Sequence, residues 1–151
     1  MKKALLIGGS GFIGHHLALA LKLDGFDVAV IDGLEVNNLI SLQDSRSKFA
    51  NRTFYVKVLE ERLSHLRNAG IPVFVEDARD YIRLNRVVTE YKPDVIYLLA
   101  AVAHASRANK DPYSTFDHSF RTLENTLDIT KSLTNNFHLS SFFPIPPNWF
   151  P

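Results

Sequence analysis

The chain has 151 residues, of which 46% are hydrophobic and 22% are charged, a composition typical of a single soluble globular domain. Its 17 lysines and arginines nearly balance 16 acidic residues, so charge gives no reason to expect a nucleic acid or a membrane surface as partner. The sequence has no cysteine, which excludes disulfides and thiolate chemistry, and no apolar run approaches the roughly 20 residues that span a bilayer. Together these features favour a cytoplasmic protein.

The most informative stretch lies near the N-terminus, where a short apolar run, Ala4 to Ile7, is followed at once by glycines. An uninterrupted apolar run of this length predicts a strand that is buried on both faces. Gly8, Gly11 and Gly14 then follow at intervals of three residues, and a helical apolar pattern begins directly after them. Strand, glycine-rich turn and helix in this order indicate a dinucleotide-binding turn, in which the helix N-terminus meets a pyrophosphate.

The second predicted strand ends at a carboxylate that suits the ribose of such a dinucleotide. After a helix predicted over 12–23, a strand over 26–31 is followed by Asp32 and Gly33. Asp32 lies 18 residues beyond Gly14, near the spacing at which a carboxylate accepts hydrogen bonds from the adenosine ribose hydroxyls. Its charge repels a 2′-phosphate, which favours NAD over NADP. The alternative is that Asp32 and Gly33 only form a turn after the strand.

The rest of the chain continues this alternation of helices and strands. A polar stretch over 35–51 predicts a loop. The elements predicted beyond it are a helix over 52–69, a strand over 71–75, a helix over 81–91 capped by Asp80, a strand over 95–101, a helix from Pro112 to about Leu133 and a strand over 137–141. In the last helix Phe120, Leu123 and Leu127 are predicted to pack on the sheet. Asp77 either binds a cofactor or merely caps a helix, and spacing does not separate the two.

This order of elements predicts a doubly wound parallel sheet of the Rossmann type, with its strands in the order 3-2-1-4-5. We assign residues 1–141 to this domain. Residues 142–151 form a separate tail, because four prolines in the last eight positions exclude a regular helix or a central strand there. His104 has no partner at the spacing of metal ligands, so no metal site is predicted.

Segments throughout residues 1–141 resemble the NAD-dependent nucleotide-sugar epimerases and dehydratases of the extended short-chain dehydrogenase/reductase family. They are GGSGFIG at Gly8–Gly14, VID at Val30–Asp32, DARD at Asp77–Asp80, LAA at Leu99–Ala101 and DPYSTFDHSFRTLENTLD at Asp111–Asp128. The resemblance implies NAD as cofactor, a nucleotide-sugar as substrate of the complete family members, and a Rossmann fold that here is truncated before the substrate lobe.

The resemblance also implies roles for individual residues. Asp32 would hold the ribose and Asp77 would meet the adenine amino group, while the backbone of Ala78 supports the adenine ring. The other implied cofactor contacts are Gly8, Gly11, Phe12, Ile13 and Gly14 at the pyrophosphate, Leu99, Ala100, Ala101 and Ala103 on the path to the nicotinamide, and Ser119, where the family pattern has asparagine.

The catalytic Tyr-x-x-x-Lys of the family is missing from this chain. The residues found four positions after its tyrosines are Leu59, Asn85, Val95, Ala101 and Asp117. In the family that tyrosine removes a hydroxyl proton from the sugar while hydride leaves for the nicotinamide. No catalytic residue is therefore assigned, and the chain alone is predicted to bind NAD without turnover. Two alternatives stay open: a dinucleotide-binding regulatory or interaction module, with a homodimer among its possible assemblies, and a non-functional fragment.

Overall fold

A computed structural model describes residues 1–35, 39–40, 51–101, 110–131, 133 and 138–141, and the fold is reported for these. Its centre is a parallel sheet of five strands in the order β3-β2-β1-β4-β5. The strands are β1 (Lys3–Ile7), β2 (Asp27–Ile31), β3 (Val73–Phe74), β4 (Val95–Leu98) and β5 (His138–Ser141). The predicted doubly wound sheet and its strand order are confirmed.

Helices connect successive strands, as parallel pairing requires. They are α1 (Phe12–Leu23), α2 (Arg52–Asn68), α3 (Tyr81–Tyr91), α4 (Pro112–Phe116) and α5 (Thr122–Lys131), with a π-helical turn (Asp117–Arg121) between the last two. At the start of α3 the Asp80 carboxylate accepts hydrogen bonds from the backbone N–H groups of Ile82 and Arg83, both at 3.1 Å. The predicted cap of α3 is therefore confirmed.

Two strands, β3 and β4, are shorter than predicted by more than one residue. β3 pairs with β2 only through Val73 and Phe74. β4 ends at Leu98 and not at Ala101, although the apolar sequence continues. Its partner β1 ends at Ile7, which lies opposite Leu98 in the register, and the chain then turns into the glycine-rich segment. A strand continues only as far as its backbone pairs with a neighbouring strand, so the apolar residues beyond Leu98 lie outside the sheet.

Apolar side chains are buried on both faces of the sheet, as expected for central parallel strands. β1 sends Leu5 and Ile7 to one face, where they pack with residues of α3 and α5. It sends Ala4 and Leu6 to the opposite face, where they pack with residues of α1 and α2. The strand that precedes the glycine-rich turn is thus enclosed on both faces, which fixes the position of the turn.

The face of α5 that packs on the sheet differs from the predicted one. Phe120 is 52% exposed and Leu127 is 44% exposed, so the prediction that both pack on the sheet is wrong. Leu123 is partly buried against the core. The residues of α5 that are buried are Thr122, Asn125, Thr126, Ile129 and Thr130.

Threonine suits this buried face because its hydroxyl can bond to its own helix. Thr122 Oγ1 donates to the carbonyl of His118 at 2.9 Å, and Thr126 Oγ1 donates to the carbonyl of Thr122 at 2.7 Å. The satisfied hydroxyls leave methyl groups for packing. The π-helical turn also widens the helical repeat before α5, so the side chains on either side of it do not keep the phase of one regular α-helix.

Some predictions fall outside the described residues. These include Ala103, His104, the tail over 142–151 and most of the loop over 35–51. In the part of the chain that is described, no helix is both long enough and apolar enough to cross a membrane.

Candidate functional site

The glycine-rich turn lies at the carboxyl edge of the sheet, between β1 and α1, and three of its glycines, Gly8, Gly9 and Gly14, have no room for a side chain. Gly8 has φ +82°, and a Cβ added there would lie 2.6 Å from the backbone nitrogen of Ala100. A Cβ on Gly14 would lie 2.6 Å from the Cα of Gly9 and 2.7 Å from the Gly8 carbonyl oxygen. Close backbone packing therefore brings the predicted residues Gly8, Gly14 and Ala100 together.

Gly11 is in a different situation. It precedes α1 with φ −70° and ψ −180°, a conformation open to any residue, and the nearest atom to an added Cβ is the Gly8 carbonyl oxygen at 3.4 Å. Phe12 and Ile13 follow in the first helical turn with exposed side chains. The first N–H groups of a helix have no carbonyl partner within it, so this end of α1 offers donors to an anion. The turn is thus open on the Gly11 side.

Asp32, at the end of β2, ties the glycine-rich turn to the neighbouring strand. Its Oδ2 accepts a hydrogen bond from the Ser10 N–H at 2.9 Å, and its Oδ1 accepts one from the Leu34 N–H at 2.9 Å. Burial raises the pKa of Asp32, and these two hydrogen bonds oppose that rise. Asp32 does form a turn, as the alternative interpretation held, but it also lies directly against the glycines. Each of its oxygens keeps a second lone pair to which a hydroxyl can donate.

A cavity of about 350 Å³ opens beside the ends of β2 and β3. It is lined by Gly33, Glu35, Ile40, Val75, Glu76, Asp77, Asp80 and Arg83. Asp77 belongs to its wall and does not cap α3, since Asp80 has that role. Burial raises the pKa of the Asp77 carboxyl, but hydrogen bonds from the side chain and backbone of Arg79 outweigh it and leave the pKa below its ordinary value. Asp77 is therefore an ionised acceptor at neutral pH.

Two residues of this region were not predicted from the sequence. Arg79 donates through its guanidinium to both oxygens of Asp77, at 2.6 to 3.0 Å. Asn125, on the buried face of α5, donates through Nδ2 to the carbonyls of Ala78 at 3.1 Å and Arg79 at 2.9 Å. The sequence feature that could have pointed to Asn125 is an amide at a buried position of a helix. The feature that could have pointed to Arg79 is its place between two aspartates.

The remaining predicted residues are distributed around the same edge. The Leu99 N–H donates to the Ile7 carbonyl at 2.8 Å, which continues the line of β1 and β4 pairing. Ala101 is partly buried just beyond Ala100. Ser119 is buried in the π-helical turn, whose Asp117 and His118 contact Arg79.

The site offers binding groups: backbone donors at a helix start, the side-chain oxygens of Asp32 and Asp77, and a cavity of moderate size. Among residues 1–35, 39–40, 51–101, 110–131, 133 and 138–141, no group of three or more His, Asp and Glu side chains is arranged to hold a metal ion. These donors and acceptors suit a ligand with phosphate at one point and hydroxyl or amino groups at others.

Comparison with known proteins agrees with this description. The model of the NAD dependent epimerase/dehydratase family matches residues 4–143. The UDP-glucose 4-epimerase of Neisseria meningitidis serogroup B is 27% identical over 119 residues, which are 79% of this chain and 30% of the relative. The UDP-arabinose 4-epimerase 1 of Arabidopsis thaliana is 26% identical over 129 residues, which are 85% of this chain and 26% of the relative.

Solved structures show the same fold. The UDP-glucose 4-epimerase from Brucella ovis in complex with NAD aligns with a TM-score of 0.67 and 22% identity, over 93% of this chain and 35% of that one. The enzyme from Bifidobacterium longum in complex with NAD+ and UDP aligns with a TM-score of 0.66 and 20% identity, over 86% and 33%. The chain spans 30% of the length of the Neisseria relative. The match to the family model over nearly the whole sequence establishes that the chain belongs to the NAD dependent epimerase/dehydratase family.

Proposed function

We propose that residues 1–141 are the NAD-binding domain of a cytoplasmic nucleotide-sugar epimerase or dehydratase, and that this chain alone binds NAD without turnover. The observation that carries the proposal is the glycine-rich turn, which is closely packed at Gly8 and Gly14 but open at Gly11. A turn of this form lets a pyrophosphate approach the backbone at the start of α1. Membership of an NAD dependent family supports the same assignment.

Each part of the dinucleotide has a counterpart in the chain. The N–H groups at the start of α1 receive the pyrophosphate, the free lone pairs of Asp32 accept the ribose hydroxyls, and Asp77 accepts the adenine amino group. The residues proposed to lie nearer the nicotinamide are Leu99, Ala100, Ala101 and Ala103, with Ser119 as a further contact. When bound, NAD supplies the hydride acceptor of the family's isomerase and lyase reactions.

The absence of turnover follows from the sequence. A sugar hydroxyl must lose its proton as hydride leaves, and no tyrosine of this chain has a lysine four residues later to lower its pKa. The nucleotide-sugar is accordingly a ligand that we propose for complete family members only.

Parallel calorimetric titrations of the chain with NAD+ and NADP+ test the proposal. We expect saturable binding of NAD+, and NADP+ binding at least about tenfold weaker because the 2′-phosphate meets the Asp32 carboxylate. The variant Gly11→Ala is expected to weaken NAD+ binding about tenfold or more, because its methyl group would stand on the open side of the turn, where the pyrophosphate is proposed to approach the backbone. Little change in thermal midpoint is expected, since Gly11 has an ordinary backbone conformation.

A chain that unfolds cooperatively but binds neither dinucleotide would overturn the proposed function. Non-cooperative unfolding without binding would instead support the alternative of a non-functional fragment.

A second proposal, which concerns the alternative of an interaction module, is that the chain forms a homodimer through α4, the π-helical turn and α5. Phe116 is 62% exposed there, and its ring stacks on that of Phe120 with 4.6 Å between the centroids. These two rings and Leu127 line an apolar groove, and side chains of both signs border it, including Arg121 and Glu124. A second copy related by a two-fold axis would cover the apolar residues and pair unlike charges.

Sedimentation equilibrium measures this association. The wild-type chain is expected to form dimers at micromolar concentration, and the double substitution Phe120→Ser and Leu127→Ser is expected to raise the dimer dissociation constant about tenfold or more. Leu23→Ser is the matched control, because Leu23 is 88% exposed but ends α1, which packs on the opposite face of the sheet. A wild-type chain that stays monomeric at high concentration contradicts the proposal.

A further inference from the structure

The guanidinium of Arg79 joins three carboxylates that come from separate parts of the fold. Two of its nitrogens contact Asp77, which follows β3, with the shortest distance of 2.6 Å between Nη2 and Oδ2. Nη2 also lies 3.2 Å from Glu35 Oε2, beyond β2, and Nη1 lies 3.2 Å from Asp117 Oδ2 in the π-helical turn. The Arg79 guanidinium therefore pairs with a carboxylate from each of these three segments.

This arrangement fixes the orientation of the Asp77 carboxylate. A planar guanidinium that bonds to both oxygens permits one carboxylate orientation, whereas a single hydrogen bond leaves rotation about the side chain. The backbone N–H of Arg79 adds a further bond to Asp77 Oδ1 at 2.9 Å. The turn itself is held from α5, since Asn125 donates to the carbonyls of Ala78 and Arg79. The Arg79 side chain is 24% exposed, so solvent screens these contacts only in part.

Asp77 faces the cavity beside β2 and β3, whereas Arg79, among the described residues, is not part of the cavity wall. Arg79 therefore acts on the ligand site through Asp77. The charged groups of the wall are Glu35, Glu76, Asp77, Asp80 and Arg83. Because Arg83 is itself paired with Glu76 and Asp80, the wall repels a phosphate and suits an uncharged ring that presents an N–H donor.

We propose that Arg79 is a positioning residue that gives this cavity its selectivity for an amino-bearing base. By holding the Asp77 carboxylate in one orientation, it makes Asp77 accept a hydrogen bond from the amino group of adenine and repel a base that has a carbonyl oxygen at that position. The inference rests on the proposed binding of NAD. It adds a residue that determines which purine the site takes.

The test compares NAD+ with nicotinamide hypoxanthine dinucleotide, in which a ring carbonyl replaces the amino group and the adjacent ring nitrogen gains a hydrogen. For the wild-type chain, calorimetry is expected to give a preference for NAD+ of about tenfold or more, because the Asp77 carboxylate repels a carbonyl oxygen that takes the place of the amino donor. In Arg79→Ala the preference is expected to fall to about twofold or less, since the Asp77 carboxylate can then turn away. Arg79→Lys is expected to restore only part of it, because an ammonium cannot bond to both Asp77 oxygens in one plane.

Arg86→Ala is the matched control, since Arg86 is an exposed arginine that pairs with Glu76 but is not, among the described residues, part of the cavity wall. It is expected to keep the full preference. Asp77→Asn gives a second variant with the arginine intact, and it is expected to lose the preference because an amide both donates and accepts.

The outcomes separate the inference from the function on which it rests. If the folded wild-type chain binds neither dinucleotide, the proposed function fails. If it binds both dinucleotides equally well, or if Arg79→Ala weakens both by the same factor and keeps the preference, the positioning role is overturned while NAD binding stands.

Discussion

Replacing Gly8 with alanine is expected to lower the free energy of unfolding by about 3 kcal/mol or more and to abolish NAD+ binding. Gly8 has φ +82°, which disfavours any residue with a Cβ. The added Cβ would also lie 2.6 Å from the backbone nitrogen and 2.8 Å from the Cα of Ala100. Backbone atoms cannot swing aside as the end of a side chain can, so β1 and the segment after β4 must separate. That separation displaces the turn on which the proposed pyrophosphate site depends.

Gly25→Ala is the control for the conformational part of this loss. Gly25 has φ +83°, nearly that of Gly8, but in the part of the chain that is described no heavy atom beyond Gly25 and its two chain neighbours lies within 4 Å of an added Cβ. Its replacement is expected to cost about 1 kcal/mol, the conformational term alone. Urea denaturation of both variants measures the difference, which is the contribution of the close approach to Ala100. Equal losses in the two variants would show that this contact is not rigid.

Asn125→Asp is expected to lower the free energy of unfolding by about 3 kcal/mol at neutral pH, although the two side chains have the same shape. The Asn125 amide nitrogen donates to the Ala78 and Arg79 carbonyls, and the residue is 8% exposed. A carboxylate would place a negative oxygen against one or both carbonyl oxygens and leave them unpaired. Because Ala78 and Arg79 belong to the turn that carries Asp77, NAD+ binding is expected to weaken as well.

The loss in Asn125→Asp is expected to depend on pH in a definite direction. The folded state disfavours the ionised carboxyl, so its folded pKa lies above the unfolded value of about 3.9. The destabilisation is therefore smallest below about pH 3.9 and grows as the pH rises through the folded pKa. Asn85→Asp is the control, because Asn85 Oδ1 accepts a hydrogen bond from Thr89 Oγ1, which a carboxylate can also accept. Denaturation curves at several pH values that change alike for both variants would contradict this account.

The parts of the fold that sequence predicted well are those whose signals are local. The bounds of α1 and α3 match their predictions because glycines precede α1 and Asp80 caps α3, each beside a clear apolar period. The strand order follows from alternating strands and helices together with a first strand that is apolar throughout. The glycine-rich turn was equally visible, because its spaced glycines follow an apolar strand and precede a helical apolar pattern.

The parts that sequence did not predict depend on contacts between distant residues. Arg79 meets Asp117 across 38 positions, and Asn125 reaches the Arg79 carbonyl across 46, so no local spacing reveals either pair. The buried face of α5 was missed for another reason. Threonine counts as polar in a hydrophobic pattern, yet Thr126 is fully buried once its hydroxyl bonds to its own helix.

The central place of β1 has a consequence for how the chain folds during synthesis. β1 leaves the ribosome before the other four described strands, and its pairing with β2 joins Ala4 to Val28, but its other partner is made much later, since Ala4 also pairs with Val95. At a translation rate of roughly 5–20 residues per second, the edge of β1 that pairs with β4 stays unpaired for several seconds. During that interval an apolar strand edge is open to other nascent chains. A chaperone that shields this edge until residue 98 has emerged is therefore expected to raise the yield of folded protein more than one that acts after release.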